Sequence, residues 1–184
     1  PQIRSMETAR PSTNSYQVVR ETWLTRKPGS SAFAVAATST LALALGSLAF
    51  LSGVWGLDEL MPASFESAVQ HRELWRLWTT LFAHGDLGHL VSNTLLFFIL
   101  GYFLNGYFGA TVFPALAFVF GGITNLVVLP TYGDEMDLIG ASGVVYWMGG
   151  VWLVLYFFLS RQKNFTQRWL RSLGVAILIF MPSQ

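Results

Sequence analysis

The chain has 184 residues, of which 53% are hydrophobic and only 11% are charged, whereas an ordinary soluble domain has about 25% charged residues. It contains no cysteine, which excludes disulfides, thiolate metal sites and cysteine nucleophiles. A net charge of +1 gives no electrostatic case for binding nucleic acid. The composition therefore predicts an all-α, polytopic membrane helix bundle.

The first 31 residues are polar and basic, and they are predicted to form a cytoplasmic tail. A signal peptide is disfavoured because the apolar segment that follows is too long. Residues 32–184 are predicted to form one transmembrane domain, since a spanning helix needs about 20 apolar residues. A short fifth span is predicted from Leu170 onward. The four preceding spans are predicted at Ala32–Trp55, Leu90–Phe108, Thr111–Pro130 and Leu138–Leu159.

Charged residues predict the orientation, because basic residues gather on the cytoplasmic side of a membrane. Five of them precede the first span and four lie between the fourth and fifth. Eight of the ten acidic residues lie in or next to the first loop and the turn after the third span. The amino terminus is therefore predicted to be cytoplasmic, and the turn before the fourth span is predicted to lie at the outer surface.

The fourth span opens with a serine among small residues, GASG at 140–143. The first N–H groups of a helix lack intrahelical partners and lie at the positive end of its dipole. The glycines on either side of Ser142 let a second helix or a substrate backbone come close. Small residues are also the normal packing surface between membrane helices, so this motif alone leaves packing and chemistry open.

A second polar set leads into the second span, with the sequence FAHGDLGHLVSN at 82–93. His89 and Asn93 are four residues apart and share one helix face. Two hydrogen-bond donors on one wall suit a developing oxyanion, although a buried histidine can also simply bind a carbonyl. A metal site formed by His84, Asp86 and His89 is an alternative, but no further ligand of matching depth is evident, and no metal is predicted.

Together with ELWRLWTT at 73–80, these motifs resemble the rhomboid family of intramembrane serine proteases over residues 73–150. The resemblance implies a bundle of six spans, about five of them present here. It implies cleavage of peptide bonds in or near transmembrane segments by a Ser–His dyad, with no cofactor. The implied partners are transmembrane protein substrates and the lipid bilayer, and the active site would open to the non-cytoplasmic side.

The resemblance also implies roles for individual residues. Ser142 matches the nucleophile, while His89 and Asn93 match the side chains that bind the oxyanion together with backbone N–H at the serine. Other matches are a structural histidine (His84), the pair that shapes the first loop (Trp75 and Arg76), an aromatic residue that packs on the catalytic histidine (Tyr146), the small residues of the motif (Gly140 and Gly143), and the glycine where the fourth span approaches the sixth (Gly150).

Two features depart from the family pattern. Asn105 stands where the family usually has glutamate, so hydrogen bonds are retained there but the charge is lost. The only histidines, His71, His84 and His89, all precede Ser142, and no lysine lies in a predicted span, so the general base is missing.

Two explanations of the missing base are open. Either the sequence ends before a sixth span that carries the base, or the protein is a pseudoprotease that binds transmembrane clients. We expect the first, and we therefore expect the 184-residue chain to be inactive on its own. A small transporter or channel subunit that uses His89 and Asn93 is a further alternative.

Overall fold

The computed structural model describes residues 27–133, 136–159 and 164–180. Four segments in these ranges are long and apolar enough to cross a membrane: Ala32–Leu51, Leu87–Phe108, Thr111–Thr131 and Ser142–Leu159. The fold is an all-α membrane helix bundle, and the fold-class prediction is confirmed. Its long helices are α1 (Ala32–Leu51), α2 (Leu87–Phe108), α3 (Ala117–Val128), α4 (Ser142–Leu159) and α5 (Phe165–Phe180).

Some of the sequence-based predictions fall outside the described residues. These are most of the predicted tail (residues 1–26), Asp134 and Glu135 in the turn before α4, and Arg161 and Lys163 in the connection from α4 to α5. The predicted short fifth span corresponds to α5, which has 16 residues and is not among the four segments long enough to span.

Three predicted helix boundaries shift, each for a local reason. The first span ends at Leu51 rather than Trp55, because Trp55 has a left-handed backbone (φ 57°) and is 87% exposed. The second begins three residues early, because Asp86 caps α2. The fourth begins at Ser142, because Leu138 is held in an antiparallel bridge with Ala63.

Helices α1 and α2 run antiparallel and approach closely at a glycine. The backbone N–H of Gly29 donates to the carbonyl of Gly106 at 3.0 Å, near the start of α1 and the end of α2. A Cβ atom on Gly106 would lie 2.5 Å from Cβ of Pro28, so only glycine allows this contact. Close approach at small residues is how membrane helices associate, because hydrocarbon supplies no hydrophobic driving force between them.

The long connection between α1 and α2 folds against one end of the bundle. It contains short helical segments at Val54–Gly56, Leu57–Leu60, Glu66–Gln70, Arg76–Thr79 and Thr80–Phe82. A small apolar cluster joins this connection to the segments on either side of the turn before α4, through Ala63, Ala68, Leu77, Leu129 and Leu138. The connection therefore forms a structured rim around the start of α4.

Candidate active site

Arg76 stabilises the rim, the connection between α1 and α2, through hydrogen bonds to its backbone. Its Nη1 atom donates to three backbone carbonyls of the same connection, those of Glu59 (2.8 Å), Leu60 (2.9 Å) and Pro62 (3.1 Å). Its Nε atom also pairs with the carboxylate of Glu73. Trp75, its predicted partner, is 53% exposed and lies on the outside of the rim.

The extended segment that leads into α4 is fixed to this rim. Leu138 exchanges two backbone hydrogen bonds with Ala63, at 2.8 and 3.3 Å. The hydroxyl of the buried Thr80 donates to the carbonyl of Leu138. The carbonyl of Thr80 in turn accepts from the N–H of Gly140 at 3.0 Å. The backbone before Ser142 is thus held on both sides.

Asp86 sets the start of α2 and thereby the positions of His89 and Asn93. Its Oδ1 atom accepts from the backbone N–H of His89 at 2.9 Å, as an N-cap residue does. This hydrogen bond holds the pKa of the Asp86 carboxyl below its usual range. His89 and Asn93 lie one turn apart on the same side of α2, and Asn93 is buried.

His84 is fully buried between α1, α2 and the turn before α4. Its Nδ1 atom lies 3.0 Å from Oγ of Ser47, and its Nε2 atom lies 3.2 Å from Nδ2 of Asn93. The backbone N–H of Ala141 also donates to Nε2, at 3.4 Å. His84 lies outside the membrane-spanning segments, and burial lowers its pKa to about 4, so the ring is neutral at physiological pH.

Gly140 brings the serine motif against α2. Its φ angle of +109° is strained for any residue with a side chain. A Cβ atom at this position would lie 2.7 Å from Cε1 and 2.8 Å from Nε2 of His89, and 3.6 Å from Nδ2 of Asn93. The first glycine of the motif is therefore required both by its backbone conformation and by its contact with the two α2 side chains.

Ser142 is the first residue of α4 and is partly buried. Its neighbours fix it from both sides, since Ala141 is buried against His84 and Gly143 faces Asn125. A Cβ atom on Gly143 would lie 2.5 Å from Oδ1 of Asn125, whose Nδ2 donates to the carbonyl of Leu77 at 2.8 Å. Glycine at 143 thus lets α4 begin directly against α3.

The remaining predicted residues lie further along α2 and α4. Tyr146 is partly buried one turn after Ser142, whereas a Cβ atom on Gly150 would meet nothing within 4 Å in the described chain. Asn105 donates from Nδ2 to the carbonyl of Phe113 at 2.8 Å. An uncharged amide therefore anchors the backbone before α3 at this position.

The structure brings Gly140, His84, His89 and Asn93 together directly before Ser142, and leaves Trp75 and Gly150 away from this cluster. The imidazole nitrogens of His84 both face protein groups and the Asp86 carboxylate caps α2, so these side chains are already used without a metal. Sequence reasoning missed Ser47 and the hydroxyl of Thr80. No sequence pattern indicated them, because their partners lie 37 and 58 residues away.

Two comparisons with known proteins relate the chain to one family. The family model for the Rhomboid domain matches residues 71–182, a range that includes His84, His89, Asn93 and the serine motif but not Ser47. Over 119 residues the chain is 29% identical to "Rhomboid protease GluP" of Bacillus subtilis (strain 168). That match covers 65% of this chain and 22% of the relative, so the chain spans about a fifth of the relative's length. No solved structure matches the chain significantly.

Proposed function

This chain belongs to the rhomboid family, and on that premise we propose that it is an intramembrane serine endopeptidase. In this proposal its substrates are other membrane proteins, cleaved at peptide bonds in or near their transmembrane segments. The observation that carries the proposal is the contact of Gly140 with His89 and Asn93. It supports the proposal because the segment entering Ser142 lies beside two side chains that can donate hydrogen bonds.

Ser142 is the proposed nucleophile. Its Oγ atom attacks the scissile carbonyl carbon, and the carbonyl oxygen becomes negatively charged. Backbone N–H at the start of α4 and the side chains of His89 and Asn93 donate to that oxygen. The C–N bond then breaks as the leaving amine takes a proton, and water hydrolyses the resulting ester. No step requires a cofactor.

The proton of Ser142 must first pass to a base, because a serine hydroxyl is otherwise a weak nucleophile. Nε2 of His84 already accepts from Ala141 and Asn93, and His89 is assigned to the oxyanion. We therefore propose that the base lies outside these 184 residues, on a helix that packs against α4 at Gly150. An apolar groove of about 390 Å³ lies there, lined by Trp147, Gly150, Val151, Val154 and Leu155.

The proposed orientation places the amino terminus in the cytoplasm and Ser142 near the outer face. The start of α1 contacts the end of α2, whereas the end of α1 contacts His84 through Ser47. Residue 29 and the serine motif therefore lie at opposite ends of the bundle. With the basic residues before α1 held in the cytoplasm, the site opens outward.

The alternative function is a rhomboid-like protein that binds transmembrane clients without cleaving them. The observation that favours it is the apolar groove beside α4, lined by Trp147, Gly150, Val151, Val154 and Leu155, which would accept a client helix without any chemistry. A binder needs the groove beside α4 but has no use for the hydroxyl of Ser142. The two functions therefore differ in how they respond to removal of that hydroxyl.

A cleavage assay in liposomes tests the proposal. The full-length protein should cleave a transmembrane substrate, and Ser142→Ala should abolish cleavage. Thr38→Ala is a matched control, because that hydroxyl is exposed and binds only carbonyls of its own helix. The 184-residue chain alone should turn over roughly a millionfold more slowly, since nucleophile and base act as one unit.

Two results would contradict this assignment. Robust Ser142-dependent cleavage by the 184-residue chain would place the base within it. A full-length protein that cleaves none of a panel of transmembrane substrates, yet captures them equally with and without the Ser142 hydroxyl, would favour the client-binding function.

A further inference from the structure

A chain of hydrogen bonds runs from the carbonyl of Leu43 in α1, through Ser47 and His84, to the amide of Asn93. Oγ of Ser47 lies 2.9 Å from the carbonyl of Leu43 and 3.0 Å from Nδ1 of His84. Nε2 of His84 lies 3.2 Å from Nδ2 of Asn93. Ser47 and His84 are fully buried, and Asn93 is 6% exposed, so solvent does not replace these partners.

The direction of each bond follows from what each group can do. The carbonyl of Leu43 only accepts, so the Ser47 hydroxyl donates to it, and the Ser47 oxygen is left to accept from Nδ1–H of His84. At the other side of the ring, the N–H of Ala141 only donates, so Nε2 carries no proton. Both ends of the chain assign the same neutral tautomer to His84.

This tautomer fixes the orientation of Asn93. An unprotonated Nε2 accepts a hydrogen bond, so Asn93 must turn its NH₂ group, and not its oxygen, toward His84. The same nitrogen is the Asn93 atom that lies 3.6 Å from a Cβ built on Gly140. One N–H therefore binds His84, and the other remains for a ligand at the serine motif.

We propose that Ser47 is a positioning residue for the oxyanion donors, acting through the imidazole of His84. This inference rests on the protease function proposed above. Without the Ser47 hydroxyl, Nδ1–H loses its acceptor on α1, and the backbone carbonyl of Phe82, which also interacts with this ring, is the remaining one. The ring would then turn toward Phe82, and its Nε2 atom would move away from the N–H of Ala141 and the amide of Asn93. The Asn93 amide would lose the acceptor that orients it, and its NH₂ group would no longer be held toward the serine motif.

The test compares three variants of the full-length protein. Ser47→Ala removes the acceptor, and Ser47→Thr restores a hydroxyl at the same position. Ser52→Ala is the control, because Ser52 directly follows the same helix and its exposed hydroxyl binds the carbonyl of Ala49 among the described residues. The first readout is the ¹⁵N NMR spectrum of the His84 imidazole, which reports its tautomer whether or not the protein is active. The second is kcat and KM for a transmembrane substrate.

In the wild type we expect a protonated Nδ1 and an unprotonated Nε2 on His84. Ser47→Ala should shift both ¹⁵N resonances of the ring, because the hydrogen bonds at both ring nitrogens change. It should lower kcat by roughly 10–100-fold with little change in KM, less than the full loss of one oxyanion donor. Ser47→Thr should restore both readouts, and Ser52→Ala should change neither.

A wild-type His84 with its proton on Nε2, or a Ser47→Ala variant with unchanged ¹⁵N resonances and kcat, would overturn the inference. Resonances that shift while kcat stays at the wild-type value would also overturn it, because Ser47 would then not position the donors. If the resonances shift as expected but even the wild type cleaves nothing, the positioning chain stands and the protease function fails.

Discussion

The two ends of α2 each carry a buried asparagine near a close contact made by glycine. At its end, Asn105 donates to the carbonyl of Phe113, and the ring of Phe113 fills the space beside Gly101. Near its start, Asn93 donates to His84, and the backbone at Gly140 passes close to the side chains of Asn93 and His89 because glycine has no Cβ. The residue types are alike at the two ends. The space beside Gly101 is occupied by the Phe113 ring, whereas Gly140 brings the side chains of His89 and Asn93 close to the first residue of α4.

This difference shows how to separate packing from chemistry in a membrane bundle. Glycine and asparagine are common at both kinds of contact, because helices must approach closely and buried amides must be satisfied. What distinguishes the start of α2 is that ring nitrogens, an amide and backbone N–H groups gather around one backbone turn next to a hydroxyl. The two ends of α2 should therefore respond differently when the same residue type is replaced.

The largest expected effect comes from Gly140→Ala. The new Cβ would lie under 3 Å from the His89 ring, at a φ of +109°, so the turn must move away from both α2 donors. An oxyanion donor, the role proposed for both side chains, typically contributes about 2.7–4 kcal/mol to catalysis, so we expect cleavage to fall by roughly a thousandfold or more. The measurement is the initial rate of substrate cleavage, with tryptophan fluorescence confirming that the protein is folded.

Gly174→Ala is the matched control for this substitution. Gly174 lies in α5, and a Cβ there would meet nothing within 4 Å, so its cleavage rate should stay at the wild-type value. A Gly140→Ala variant that is folded and equally active would remove the main support for the proposed site.

Replacing each of the two asparagines with alanine gives opposite expectations. Asn93→Ala removes a proposed oxyanion donor, so kcat should fall by roughly 100–1000-fold, about 2.7–4 kcal/mol. Asn105→Ala instead leaves the carbonyl of the buried Phe113 without this donor. It should lower the free energy of unfolding by about 1–3 kcal/mol and leave kcat nearly unchanged. Equal losses of kcat in both variants would show that the two ends of α2 do not differ in this way.

The sequence predicts the spans well, because a chain in hydrocarbon must satisfy its backbone within helices and apolar runs therefore mark them. It also indicates His89 and Asn93, whose spacing follows the helical period, and Ser142, which stands among small residues at the start of an apolar run. It does not predict that Ser47 binds His84 or that Thr80 holds Leu138, because such contacts depend on how distant segments pack and leave no periodic pattern. Nor does it predict that α4 starts at Ser142 rather than at Leu138, because the bridge that holds Leu138 against Ala63 is also a contact between distant segments.

A last expected effect needs no substitution: a pH dependence of stability that arises at the site end of the bundle. The pKa of His84 falls from an ordinary 6.5 to about 4 in the folded protein, because burial disfavours the charged ring. Between these values the unfolded chain binds a proton that the folded protein does not, so stability declines as the pH falls from 6.5 to 4. The total loss should be about 3 kcal/mol, and it should level off below pH 4.

Thermal or denaturant unfolding in mild detergent across this pH range measures the decline. His84→Gln should flatten it, because glutamine does not titrate, whereas His71→Gln should leave the slope as in the wild type, since His71 is exposed on the rim. Asp86 does not account for the decline between pH 6.5 and 4, because its pKa lies below the ordinary value of 3.8 and its effect on stability begins at lower pH.

A wild-type stability that stays constant from pH 6.5 to 4, or a decline that survives His84→Gln, would show that His84 is not held neutral by burial. A charged His84 could not accept hydrogen bonds from Ala141 and Asn93. The start of α2 would then lack the hydrogen bond that orients the Asn93 amide, which is the feature that distinguishes it from the end of α2.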